Sequence, residues 1–235
     1  MPTAWLNLRY STGDRYAAFE AGLARLGFAT RHGLCDRPRD DDVLVTWNRI
    51  GSADDIARRF RRVVVAENGS WGKDLAGHSW LTLARERHNT AGMFPVGGPE
   101  RWDGLGVALE PWRGDGETVI LPQRGIGSRP TAMPHDWPEN ALRRFRGRIR
   151  LHPGRHRPAR PLRDDLARCG HVVTWGSAAA VQALMMGVPV TSEMPGWIGE
   201  QDNTDAGRLE MFRRMAWAQW RLDEIAAGVP FERLL

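Results

Sequence analysis

Four short apolar runs constrain this chain most: VLVTW (43–47), VVVA (63–66), VIL (119–121) and VVTW (172–175). Each is charge-free, too short for a core helix, and bounded by charged, polar, proline or glycine residues. Such runs read as strands buried on both faces, the mark of parallel strands covered by helices. Between them lie segments with apolar residues at helical spacing. In DRYAAFEAGLARLGF, for example, Tyr16, Phe19, Leu23 and Leu26 fall on one face. The alternation predicts an α/β protein with crossover helices.

The first half reads as strand TAWLNLRY, helix 14–28, strand FATRHG, strand DDDVLVTWN, helix SADDIARRFR with Ser52 as its cap, and strand RRVVVAENG. Asp40, Asp41 and Asp42 read as a solvated turn leading into the third strand. Residues 68–116 then lose periodicity and fill with Gly, Trp, Asn and Pro, as functional loops do. The rhythm restarts with strand ETVILPQRG, helix PENALRRFRG, strand RIRLHPGR, helix PLRDDLARCG ending at Gly170, strand HVVTWG, a helix closed by Gly187, and strand VPVTSE. A long C-terminal helix is expected over 206–228, folding back across both halves. The expected fold is therefore two small Rossmann-like halves facing a cleft, with a C-terminal helix. The N-terminal half spans 1–112, with its irregular loops at 68–116, and the C-terminal half spans 113–235.

With 235 residues and 42% hydrophobic content, the chain can build one large core or two small ones. No 18-residue apolar run exists, so no membrane span is expected, and the N-terminus reads as a strand, not a signal peptide. Cys35 and Cys169 lie far apart without metal spacing, which points to a reducing, cytoplasmic setting. The net charge is +5, and Lys73 is the one lysine among 33 basic residues. Arginine offers a planar fork for phosphates and carboxylates. An arginine-rich chain also follows from a GC-rich genome; contact with a polyanion such as nucleic acid is the other explanation. Trp5, Trp47, Trp175 and Trp217 sit in apolar patterns and read as core.

Ligands of α/β proteins bind beyond the carboxyl ends of the strands. In the second half those positions hold Gln123-Arg124-Gly125-Ile126-Gly127-Ser128, His152-Pro153-Gly154-Arg155, Gly176-Ser177, and Ser192-Glu193. Gly176-Ser177 opens a helix with three alanines, and a helix start offers unpaired N–H groups and partial positive charge. Arg124 and Arg155, from separate strand ends, suit the same diphosphate. The alternative for Gly176-Ser177 is plain close packing. His152 is placed as a phosphate contact or an acid/base, and Glu193 as a partner for a ribose diol or sugar hydroxyls; both also have structural explanations. In the first half Asn48-Arg49 and Glu67-Asn68 follow strands. Glu67 is placed as a general base. Asp14 competes for that role, or caps the first helix. His88-Asn89, in the irregular loops, are placed to contact an acceptor. There is no GxxxxGK[ST], no GxGxxG at the first helix, no GxSxG, no CxxC or HExxH, and no convincing metal triplet.

HVVTWGSAAAVQALMMGVPV and RIRLHPGR resemble the donor-side motifs of GT-B glycosyltransferases of the capsule-polysaccharide type. They cover residues 148–193, and Gln182 stands where that group carries Glu. The resemblance implies a metal-independent sugar transfer from a nucleotide-diphospho-sugar, with no other cofactor. Gly176, Ser177, His152 and Arg155 would lie on the donor's diphosphate. The longer pattern ENG…RHNTAG…ERW…PQRGIGS…HPGR…TWGSAAA…AWAQWRLDEI resembles proteins of tailed phages, which implies host cytoplasm and, as acceptor, a 5-hydroxymethylpyrimidine in double-stranded DNA. Such a base must leave the stack, and Trp and His of loops 68–116 are placed to fill the gap. A surface polysaccharide is the alternative acceptor. A non-catalytic DNA- or nucleotide-binding module and a GT-B-type epimerase are the other classes.

Overall fold

The computed structural model describes residues 1–8, 12–72, 75–87, 93–123, 131–152 and 160–235. It is mixed α/β, with two sheets of mainly parallel strands. The chain divides into two compact units: residues 1–98 with 214–235, and residues 99–213. The sequence rhythm placed the division between 112 and 113 and gave the whole C-terminus to the second half.

Unit one contains β1 (Thr3–Asn7), α1 (Gly13–Arg25), β2 (Ala29–His32), β3 (Val43–Trp47), α2 (Ser52–Ala57), β4 (Val63–Asn68) and β5 (Leu81–Arg85). Its sheet runs β10-β5-β4-β3-β1-β2, where β10 is Gln219–Trp220. The four strands β2, β1, β3 and β4 are parallel, as expected, whereas β5 and β10 are antiparallel additions. Thus the segment from 68 onward is not all loop: β5 comes from it. Its tryptophans turn inward. Trp71 and Trp80 are buried edge to face at 5.2 Å, and Trp80 Nε1 donates to the Leu75 carbonyl.

Unit two contains α3 (Glu100–Asp103), β6 (Glu117–Leu121), α4 (Trp137–Phe145), β7 (Arg148–Ile149), α5 (Leu162–Asp165), β8 (Cys169–Thr174), α6 (Ala178–Met185), β9 (Val190–Ser192) and most of α7 (Asp205–Ala216). Its sheet, β7-β6-β8-β9, is parallel throughout. Its core joins Ile120 and Val173 of the sheet to Trp137 and Ala141 of α4. Beside β9, the Asn203 side chain accepts from the Val190 N–H (2.8 Å) and donates to the Val190 carbonyl (3.1 Å), as a neighbouring strand would.

The C-terminal helix expected over 206–228 is broken. The chain leaves α7, forms β10, then turns through α8 (Leu222–Ala226) and α9 (Val229–Leu234). Burial accompanies the break: Trp217, Ala218, Gln219 and Trp220 are all buried, and Gln219 and Trp220 pair with Thr82 and Leu81 of β5. Gln219 Oε1 accepts from the Ser70 N–H and the Thr82 hydroxyl. Several other local expectations shift. Gly51, at φ +53°, precedes α2, and Ser52 is its first residue. α5 is one turn, and Gly170 already lies in β8. Trp217 is core, whereas Trp5, Trp47 and Trp175 are half-buried and flank their cores.

Asp42 is no solvated residue. It is 3% exposed and accepts from the Thr3 N–H, the Arg39 N–H and guanidinium, and Trp5 Nε1. Burial alone raises its pKa, but these donors outweigh burial and hold it below the ordinary value.

The C-terminal return packs on α1 at Gly22. A β-carbon there would fall 2.0 Å from the Ile225 carbonyl oxygen and 2.9 Å from the Phe231 ring. Gly22→Ala should therefore lower stability by about 1–3 kcal/mol, the usual cost of overpacking. Urea denaturation measures this; a loss below about 0.5 kcal/mol would mean that α8 moves away without cost.

Candidate functional site

In unit two, parallel β6, β8 and β9 bring Gln123, Trp175-Gly176-Ser177 and Glu193 to one edge of the sheet. Gln123 Nε2 donates to the Gly176 carbonyl at 2.7 Å, tying two strand ends together. A β-carbon at Gly176 would fall 2.4 Å from Met194 Cε and 3.2 Å from the Trp197 ring, so the turn is closely packed there.

Ser177 is the N-cap of α6. Its Oγ accepts from the Ala179 N–H, and its own N–H donates to Thr174 Oγ at 2.9 Å. The Ala180 N–H is closed on the Ser177 carbonyl. Most of the helix-start donors are thus satisfied within the turn. Among the described residues, the Ala178 N–H and the Ser177 hydroxyl hydrogen remain for a ligand, with the positive end of α6 behind them.

Glu193 follows β9. Its Oε2 accepts from Trp137 Nε1 and from the Arg144 guanidinium, both at 2.6 Å. Burial pushes its pKa up, but Arg144 and the indole N–H prevail, and the net shift is downward. Glu193 therefore stays a carboxylate, with Oε1 left as an acceptor for hydroxyls. Trp137 packs edge to face on Trp175, whose Nε1 donates to the Thr131 carbonyl. Beside them is an open cavity of about 420 Å³ lined by Pro134, Asp136, Trp137, Asn140, Arg143 and Arg144. His152 lies beyond β7 and is exposed. Arg124, Gly125 and Arg155 lie outside the described residues.

In unit one, Asn7 Nδ2 donates to Thr46 Oγ, which donates to the Asn48 carbonyl, both at 3.0 Å. This relay sets the end of β3, where Asn48 turns the chain at φ +59°, a conformation asparagine tolerates. Arg49 is engaged inside the unit by Asp54 Oδ1 (2.8 Å) and by the carbonyl and carboxylate of Glu86. Glu67 is half-buried near the end of β4. It makes no ion pair among the described residues; its Oε1 accepts from the N–H of exposed Asn68, and its Oε2 is left open. Asp14 is exposed in the first turn of α1, and Thr12, not Asp14, holds the cap position. His88 and Asn89 lie outside the described residues.

The loop tryptophans expected to fill a gap in DNA are otherwise occupied. Trp71 and Trp80 are core, Trp102 stacks on Phe212 at 4.5 Å, and Trp112 lies under the Arg208 guanidinium at 4.0 Å. Sequence reasoning missed Trp137 and Arg144 as the partners of Glu193, and Gln123 as a strut. The apolar residue before Pro138 in a helix start was the available signal for Trp137; Arg144 carried none, because its partner lies 49 residues away.

No protein-family model matches the chain, and no curated protein matches it. Among solved structures, the fold superposes on KpsC of Thermosulfurimonas dismutans, a beta Kdo 2,7 transferase, with a TM-score of 0.55 and 10% identity, covering 98% of this chain and 99% of that one. Aspartate transcarbamoylase from Trypanosoma cruzi aligns over 92% of this chain and 82% of that one at 16% identity, but its TM-score of 0.25 carries no weight. The first likeness concerns the fold alone.

Because the pKa of Glu193 is lowered, its contribution to stability is present above the unfolded carboxylate value, about 4.3, and is lost as pH falls through the lower folded value. Glu193→Gln should lower stability at pH 7 by about 1 kcal/mol. It should also flatten the acid limb of the unfolding free energy below about pH 5. An unchanged acid limb would mean that the contacts with Arg144 and Trp137 do not hold the charge.

Proposed function

We propose that this chain is a glycosyltransferase, moving a sugar from a nucleotide-diphospho-sugar to a hydroxyl acceptor without a metal. The observation that carries the proposal is Glu193, kept ionised and with one oxygen open, on the same strand-end edge as the Ser177-capped helix. The likeness of fold to a sugar transferase over nearly the whole chain supports it, by analogy only.

The donor belongs to unit two. Glu193 accepts from the ribose diol or sugar hydroxyls. The Ser177 hydroxyl, the Ala178 N–H, His152, Arg124, the Gly125 backbone and Arg155 hold the phosphates. As the bond from the anomeric carbon to the phosphate oxygen breaks, its electron pair stays on that oxygen, and these donors stabilise the developing charge. The acceptor belongs to unit one, where Asn48, Arg49, Asn68, His88 and Asn89 would orient it. Glu67 Oε2 takes the proton of the attacking hydroxyl, with Asp14 as the competing base.

For the acceptor we take a 5-hydroxymethylpyrimidine in duplex DNA, supported by the arginine-dominated charge of +5. A second acceptor, a surface polysaccharide, is favoured by the sugar-transferring activity named for the structural neighbour.

Incubation with mixed nucleotide-sugars and either hydroxymethylated DNA or an oligosaccharide tests both, with mass spectrometry of the digested products. A sugar-sized mass gain on the nucleoside is expected. A gain on the oligosaccharide alone moves the acceptor to a glycan. Nucleotide-sugar binding with no gain on either leaves a binding module. In an active preparation, Glu67→Gln should lower kcat about 100-fold or more with little change in KM for the donor; if Asp14→Asn does so instead, Asp14 is the base.

A further inference from the structure

The open cavity of about 420 Å³ in unit two takes no part in the phosphate and acceptor contacts proposed above. Its volume falls within the range of about 300–1,000 Å³ usual for small-molecule sites. Trp137 is its buried floor, Asn140 is half-buried, and Pro134, Asp136, Arg143 and Arg144 are its exposed rim.

The charges of this cavity balance. Arg144 is neutralised by Glu193, Asp136 offsets Arg143, and Glu139 adds another exposed carboxylate on the same helix. A neutral occupant suits such a site. Its open polar atoms are of both kinds. Asp136 Oδ2 accepts from the Asn140 amide at 2.8 Å, and among the described residues Oδ1 is left as an acceptor. The Arg143 guanidinium donates to the Asn140 amide oxygen, and among the described residues its other N–H groups are left for a ligand. Two planar guanidinium groups on the rim are suited to stack on a flat ring.

The cavity adjoins Glu193. Two of its lining residues, Trp137 and Arg144, hold Glu193 Oε2 at 2.6 Å each and leave Oε1 open. A ligand that fills the cavity and reaches Oε1 therefore joins a flat, neutral, hydrogen-bonding ring to a hydroxyl-bearing one. A nucleoside has that form, because base and hydroxyls sit on neighbouring carbons of one ribose.

We infer that this cavity seats the nucleobase of the donor nucleotide. The inference rests on the reading of Glu193 as the partner of the donor's ribose diol. Asp136 Oδ1 accepts from an N–H of the base, Arg143 donates to its ring carbonyl or ring nitrogen, and the Arg144 guanidinium, fixed on Glu193, stacks on its face.

The test is binding of the four ribonucleoside 5′-monophosphates to the full chain by calorimetry, with ribose 5-phosphate as the probe that lacks a base. At least one nucleotide should bind about 10-fold or more tighter than ribose 5-phosphate, the usual worth of a stacked base. The double variant Asn140→Ala/Arg143→Ala should lose most of that preference and keep its affinity for ribose 5-phosphate. Arg143→Ala alone, at an exposed position, should lose part of it. Circular dichroism establishes that the variants are folded. Equal affinity of the wild-type chain for ribose 5-phosphate and every nucleotide overturns the inference. So does a preference that survives in the folded variants, or a loss shared equally by nucleotide and ribose 5-phosphate. Sugar transfer with a base preference that these variants leave intact would keep the glycosyltransferase proposal and remove this one; a base preference lost in the variants, without sugar transfer to any acceptor, would do the reverse.

Discussion

The insertion of residues 214–235 into unit one is the constraint on which the rest of the chain depends. Trp220 is fully buried, Gln219 answers the Ser70 N–H and the Thr82 hydroxyl, and α8 meets α1 at a glycine with no room for a methyl group. The core of unit one is built from both ends of the chain. Unit two is therefore an insertion within unit one. Forming unit one closes a loop of more than 100 residues, whose entropic cost grows only slowly with length.

Within unit two, the strand ends are organised by reciprocal polar contacts. Thr174 Oγ accepts the Ser177 N–H and donates to the Leu121 carbonyl. Gln123 holds the Gly176 carbonyl from the neighbouring strand end. These bonds fix the turn before any ligand arrives, so little ordering remains to be done on binding. The same bonds narrow what the turn offers. Among the described residues, the opening of α6 presents one N–H and one hydroxyl hydrogen, not a full ring of backbone donors.

The fold was legible where burial is two-sided. VLVTW, VVVA, VIL and VVTW carry their strand character in composition alone, and each falls in a strand with a parallel neighbour, with only Trp175 beyond its strand's end. Legibility failed where tertiary contacts override local pattern. MAWAQWRL has helix-forming residues, yet Trp220 and Gln219 are drawn into the sheet of unit one, and the helix breaks. Asp42 looks solvated among three aspartates; only its distant partners Thr3 and Trp5 reveal it as a buried carboxylate. In the candidate site, Ser177 and Glu193 could be picked out because they follow strands. Arg49 was equally conspicuous, yet its fork closes on Asp54 and Glu86, partners that sequence spacing does not disclose.

The amide of Asn203, bonded to both the N–H and the carbonyl of Val190, has a consequence for the protein in a crowded solution. Beside Val190, an open edge would offer an unpaired donor and acceptor to any passing extended chain, the usual route to intermolecular β-pairing. Here one side chain occupies both groups, bridging the chain back on itself. The outer margin of β9 is thereby sealed at this residue against strand recruitment, and the parallel sheet of unit two is less able to template its own aggregation.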